Sequence, residues 1–352
     1  MKIGLITFHD TNNFGSYLQT YGLYKKIVDL GYNCEIIDYQ CNAIINREQF
    51  GDFKFSLNPK NILKDLLVNR VLRRKYRQLM SWLLSHSRIS KKYYRHNISL
   101  ASEEFDRFLV GSDIVWGMDI IEKDTTYFLD FEPNSHKKLA FASSVGNPWD
   151  NEDKSIVKPL LLDFSEIAVR EEESAGWVEE LTGKRPNVVC DPTMLLTAKE
   201  WEKHKSNKYA SDKYVLIYFP TPENIKDACE YAKKNGLKCY VINHGLPIAG
   251  CKSVKPTTMA DFLSLFFYAR FVFTGSYHGM LFSIYFNREF VYYNRAHKSR
   301  MNTLARKLGV QDREATVGNV FQMPAIDYSK VNIAVENYRN NSILVLKEML
   351  AK

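Results

Sequence analysis

The chain has 352 residues, 45% hydrophobic and 25% charged, an ordinary globular composition with enough apolar material for two cores. No apolar run approaches the ~18 residues of a membrane span, and MKIGLITF lacks the apolar h-region and cleavage site of a signal peptide, so a cytoplasmic protein is expected. The net charge of +8 is local: residues 60–95 hold eleven Lys/Arg against the one acid Asp65, a net +10, and the remainder nets −2.

In chain order, KIGLITF (2–8) reads as a buried strand. The turn-rich HDTNNFGS and a helical pattern closing at Gly31 follow, then a second strand, CEIIDY (34–39). Strand, Gly-containing loop, helix and strand within about 40 residues form a βαβ unit, which favours a parallel sheet. Paired apolar positions near every fourth residue make 60–95 an amphipathic helical hairpin with basic residues between them. FDRFLV-GSD (105–113), KLAFASSVGNP (138–148), SEIAVRE (165–171) and NVVCDP (187–192) are strand-like runs ending in small or polar residues, and such exits are where parallel sheets bind ligands.

A second α/β set begins near Tyr214, with strands expected at 213–219, 237–242, 269–275 and 288–294. Helices are expected at 223–235, 257–268 and 278–287, and a last one at 331–350. The predicted architecture is two Rossmann-like domains facing a cleft, in the α/β class. They would be 1–195, carrying a basic helical insert at 45–100, and 196–325, with 326–352 packing back across both. The six cysteines (Cys34, Cys41, Cys190, Cys229, Cys239, Cys251) show neither CxxC spacing nor histidine partners. They are expected to be reduced, buried thiols rather than a disulfide frame or a metal site.

FTGSYHGM (273–280) places a histidine and two glycines where a strand turns into a helix. Ser276 is a good N-cap, and a helix starting near His278 presents backbone N–H groups and a positive dipole end, a ready phosphate site; the plain alternative is a helix cap alone. Past the next strand come Arg295, His297, Lys298 and Arg300, cations that suit a small ligand with more than one negative charge or else a solvated basic loop. Asp113 follows Gly111, which lets the backbone turn close to a ligand, and Asp191 stands before a proline. Either carboxylate could accept a hydroxyl proton; either could cap a turn. Trp116 suits stacking on a sugar or burial in the core. Around the first loop, His9, Asn13 and Gly15 precede a helix N-terminus.

The ordered set NNFGSYLQTYGLYKKIVDLGY, VGSDIVW, FASSVG, IAVREEES, DPTMLL and TGSYHGMLFSIYFN resembles the polysaccharide pyruvyl transferase family from Met1 to about Gly309, apart from the basic insert. The resemblance implies a fold similar to B-type glycosyltransferases, with phosphoenolpyruvate as co-substrate and no cofactor or metal. The acceptor it implies is a sugar of a bacterial surface polysaccharide or its lipid-linked precursor. Donor binding falls to Arg170, Ser276, His278, Gly279, Lys298 and Arg300, with Arg170 alternatively salt-bridged to Glu171–Glu173 or Asp191. Catalysis falls to His278, Asp113 and Asp191, and acceptor contact to His9, Asn13, Gly15 and Trp116. Many relatives have an acid after the first-loop glycine, where this chain has Ser16. The rival functions are a nucleotide-sugar-dependent glycosyltransferase of the same fold and a membrane-associated scaffold. The basic segment 60–95 suits contact with an anionic membrane at its inner face, or a solvated surface; no nucleic-acid motif is present.

Overall fold

A computed structural model describes residues 1–48, 68–294, 298–316 and 320–352; residues 60–67 of the basic segment, together with Arg295 and His297, lie outside them. Contacts divide the chain into two compact units. The first comprises 1–48, 83–196 and 336–352, and the second 68–82 and the described residues of 197–335.

The first unit is built on seven parallel strands: β1 (Lys2–Ile6), β2 (Asn33–Tyr39), β3 (Ile89–Tyr93), β4 (Arg107–Val110), β5 (Lys138–Ser143), β6 (Glu166–Val169) and β7 (Asn187–Val188), in the order β3-β2-β1-β4-β5-β6-β7. KLAFAS in β5 is buried at every position, the continuous apolar run of a strand covered on both faces. Helix Phe14–Asp29 returns the chain from β1 to β2; it is capped by Asn13, whose side chain accepts from the Gly15 N–H. Helices Asn151–Leu162 and Glu172–Thr182 follow β5 and β6. The core joins Ile6, Ile37, Phe108, Val110, Trp116, Phe128, Ala140 and Val169.

The second unit repeats the plan on five parallel strands: β8 (Tyr214–Tyr218), β9 (Lys238–Ile242), β10 (Lys252–Val254), β11 (Phe271–Thr274) and β12 (Glu289–Tyr292), ordered β10-β9-β8-β11-β12. Helix Pro222–Lys234 opens on a capping box in which Thr221 and Asn224 satisfy each other's backbone N–H. Helices Met259–Tyr268, Tyr277–Tyr285 and Lys298–Leu308 complete it. The last helix, Tyr328–Ala351, carries 336–352 into the first unit, where Ser342 Oγ accepts from the Cys190 N–H at 2.9 Å.

The basic segment departs from the expected helical hairpin. A helix spans Arg70–His86, but Ile89–Tyr93 is an edge strand pairing β2, with Tyr39 opposite Tyr93. Only Tyr93 of ISKKY is fully buried, too thin an apolar signal to show as a strand, and lysines on an edge suit its unpaired side. On the helix, Leu79 and Leu83 are buried, and Arg70, Arg74 and Arg77 are exposed at helical spacing.

Candidate functional site

At the carboxyl ends of β4, β5 and β6, the backbone is drawn unusually close. Gly111 has φ +134°, and a Cβ there would fall 2.0 Å from the Phe141 carbonyl oxygen, so only glycine fits. Two residues on, Asp113 adopts φ 72°, the left-handed region that Asp tolerates better than most residues. Its backbone bridges to Ser143 at the end of β5. The turn aims the Asp113 carboxylate toward solvent, its side chain 19% exposed. Oδ1 accepts from the Ile114 N–H at 3.0 Å and Oδ2 from Ser16 Oγ at 3.4 Å.

Behind Asp113 lies a buried ionic network. Arg170 is 3% exposed; its Nε donates to Glu171 Oε1 at 2.8 Å, and one terminal nitrogen donates to Asp191 Oδ2 at 2.7 Å and Ser112 Oγ at 3.4 Å. The other terminal nitrogen stands 3.8 Å from Asp113 Oδ1. Glu171 also accepts from Ser144 Oγ at 2.9 Å and Ser174 Oγ at 3.0 Å. Arg170 thus takes the salt-bridged arrangement expected as the alternative to donor binding: its guanidinium neutralises two carboxylates that water does not reach. Such charges must be paired to be tolerated. Asp191 takes the turn-capping arrangement expected as its alternative. At 0% exposure it pairs with Arg170 at 2.7 Å and caps the Thr193 N–H at 2.9 Å. Trp116 is likewise a core residue. It is fully buried, stacks on Phe128 with centroids 5.5 Å apart, and donates its indole N–H to the Tyr127 carbonyl, so no face is open to a sugar.

The first loop is tied to this exit by Gln19. Its Nε2 donates to Thr7 Oγ1 at 2.9 Å, and its Oε1 accepts from the Ser112 N–H at 3.1 Å. That clamp positions Ser16 against Asp113. Asn13 is exposed and Gly15 buried; both act in the helix cap described above. His9 is 1% exposed, its Nε2 3.2 Å from Asp38 Oδ1 and its Nδ1 3.3 Å from the Thr7 carbonyl. Burial raises the Asp38 carboxyl, but its bond to His9, aided by Lys92 and Gln40, outweighs that and holds it below the usual range. His9 also lines a small, partly open pocket with Asp10, Tyr39, Gln40 and Tyr127.

In the second unit, β11 passes into helix Tyr277–Tyr285 through Ser276, whose side chain accepts from the Gly279 N–H at 3.5 Å. The Ser276 N–H in turn donates to Thr274 Oγ1 at 3.1 Å. A Cβ on Gly279 would fall 2.2 Å from that same oxygen, so glycine lets the helix start pack against the strand end. The Gly279 N–H, expected to contact phosphate, faces the Ser276 hydroxyl in this cap. His278 stands half-buried in the first turn, edge to face with Tyr277. Lys298 opens helix Lys298–Leu308 past the end of β12, and Arg300 is half-buried in its first turn.

Sequence reasoning missed Gln19, Ser112, Ser144 and Ser174, whose bonds hold the exit in shape. The pair FGSYLQ and VGSD carried the signal, but only contacts across the sheet show that the two stretches touch. It also missed His244, at the end of β9. Its Nε2 lies 2.8 Å from the Pro256 carbonyl, and burial, with Lys75 and Lys255 nearby, outweighs that bond and lowers its pKa to about 4. Among the described residues, the group of three or more possible metal ligands that converges is Cys229, Cys239 and Cys251, not a set at these exits. Among the same residues, no helix is long and apolar enough to cross a membrane.

Comparison with known proteins bears on both the fold and the family. A family model described as polysaccharide pyruvyl transferase matches residues 13–297. No curated protein matches the chain. Among solved structures, the chain is similar to UDP-GlcNAc 2-epimerase from Neisseria meningitidis bound to UDP-GlcNAc, at 11% identity and a TM-score of 0.56 over 100% of both chains. It is also similar to UDP-N-acetylglucosamine 2-epimerase from Rickettsia bellii, at 11% identity and a TM-score of 0.52 over 100% of this chain and 95% of that one. At such identity the likeness concerns the fold, a parallel α/β architecture of the B-type glycosyltransferase kind.

Proposed function

The chain belongs to the polysaccharide pyruvyl transferase family, and from that premise we propose that it transfers the pyruvyl group of phosphoenolpyruvate to a saccharide as a cyclic ketal, releasing phosphate. The supporting observation is the match across 13–297, which takes in both the Asp113 exit and the His278 helix start. The acceptor is a sugar of a surface polysaccharide or of its lipid-linked precursor.

The chemistry fixes what the residues must do. The enol carbon C3 takes a proton, which leaves cationic character at C2, the carbon bearing phosphate. One sugar hydroxyl adds there and gives up its proton. The C2–O bond to phosphate then breaks, and a neighbouring hydroxyl closes the ring, its proton leaving with phosphate. One hydroxyl proton balances the one gained at C3, so no oxidant or reductant is required.

The Asp113 carboxylate is the proposed general base. It is the one carboxylate of its network with solvent access, and it accepts from Ser16, which stands where many relatives are expected to carry an acid. The missing acid's role thus passes to a group in contact with it. Arg170 keeps Asp191 and Glu171 neutralised and supports the Asp113 exit from behind; it is a positioning residue. In the second unit, the positive end of helix Tyr277–Tyr285 and the His278 ring are assigned to the anionic donor. Lys298 and Arg300 add charge, and His278 is the proposed acid toward C3.

The test is direct: phosphoenolpyruvate with a panel of galactosides, mannosides and glucosides, read by acceptor-dependent phosphate release and a methyl-ketal signal in the product. Acceptor-independent release, or glycosyl transfer from a nucleotide sugar with no ketal, would overturn the assignment.

A further inference from the structure

Cys229, Cys239 and Cys251 come from three different elements. Cys229 lies on helix Pro222–Lys234, Cys239 at the start of β9, and Cys251 in the turn before β10. The fold brings their sulfurs into a triangle with edges of 3.4 Å (Cys239–Cys251), 3.5 Å (Cys229–Cys251) and 3.8 Å (Cys229–Cys239). All three are half-buried, whereas Cys34, Cys41 and Cys190 are buried thiols of the first unit. A cysteine serving only as a small hydrophobe is usually found fully enclosed. Three meeting at a partly open edge are arranged differently.

The spacing has a chemical meaning. Tetrahedral zinc holds each thiolate at about 2.3 Å, which sets sulfurs about 3.8 Å apart. The Cys229–Cys239 edge matches that value and the other two are slightly shorter, so little movement of the side chains would be needed. An ion about 2.3 Å from all three sulfurs stands roughly 1 Å above their plane and has one position left over. Among the described residues, no histidine or carboxylate joins the group, so water or an outside ligand takes that position.

We propose that Cys229, Cys239 and Cys251 form a three-thiolate zinc site with an open fourth position. Each bond replaces an S–H, and three protons leave to solvent as one Zn²⁺ enters; no redox change occurs. The site ties helix Pro222–Lys234 and β9 to the three-residue edge strand β10, whose one strand partner is β9. It lies apart from the His278 helix start. Cys239 sits near the amino end of its strand, His278 follows the carboxyl end of β11, and β8 stands between those strands.

The experiment uses the full chain, purified reduced and without chelator. Elemental analysis is expected to find about one zinc per chain. After zinc removal, Co²⁺ should give the visible bands of tetrahedral cobalt and a near-ultraviolet thiolate charge-transfer band, saturating at one equivalent. Cys251→Ser should lose these bands and Cys34→Ser should keep them. Should Cys251→Ser fail to fold, alkylation of the wild-type chain with and without Zn²⁺ decides by mass spectrometry. Protection confined to Cys229, Cys239 and Cys251 supports the site. Absence of a thiolate–cobalt band in the reduced wild type, its survival in Cys251→Ser, or equal alkylation with and without Zn²⁺ overturns it.

Discussion

Replacing Arg170 with methionine separates two accounts of the candidate site. The side chain bonds Glu171 at 2.8 Å and Asp191 at 2.7 Å, and those residues are 1% and 0% exposed. Removing one partner of a buried pair costs roughly 3–5 kcal/mol, because the remaining charge is uncompensated. Here Glu171 keeps the Ser144 and Ser174 hydroxyls and Asp191 keeps the Thr193 N–H, which places the expected loss near the lower end, about 3 kcal/mol. With a urea m-value of roughly 2 kcal/mol/M, the unfolding midpoint should fall by about 1.5 M, followed through the buried Trp116 and Trp149. Adding Asp191→Asn should restore part of it, since the pair is coupled. The opposite pattern refutes the reasoning: an unmoved midpoint together with a large rise in KM for phosphoenolpyruvate would mean that Arg170 grips the donor.

Asp113→Asn keeps a residue that tolerates φ 72°, so the melting temperature should hold while kcat falls by about 10²–10⁴; turnover within tenfold of wild type would remove Asp113 as base. Gly279→Ala forces a methyl toward the buried Thr274 hydroxyl and should cost about 1–3 kcal/mol, visible as a fall of several degrees in the calorimetric Tm; an unchanged Tm would show that the helix start yields freely. His244 is held neutral, its pKa lowered to about 4 from 6.5. Between those values the unfolded chain binds the extra proton, so stability is complete above about pH 6.5 and declines as pH falls toward 4, by up to about 3 kcal/mol. His244→Gln should flatten that part of a denaturation-midpoint profile, and a profile identical to wild type would exclude His244 as its source.

The sequence alone determined the class of the fold. Apolar strand runs such as KLAFAS and YVLIY mark strands covered on both faces, and Ser276 marked the N-cap of a helix, expected from His278, that the structure starts one residue earlier, at Tyr277. These are local signals, carried by backbone periodicity and capping within a few residues. The edge strand Ile89–Tyr93 escaped because one buried side chain leaves almost no period to read. Tertiary structure decided what each polar group faces. It set Arg170 against Asp191, twenty-one residues away, placed Ser16 against Asp113, ninety-seven away, closed Trp116 into the core, and drew three dispersed cysteines together. Each of those outcomes depends on which strand ends become neighbours in a parallel sheet, a matter of long-range packing that no local spacing encodes.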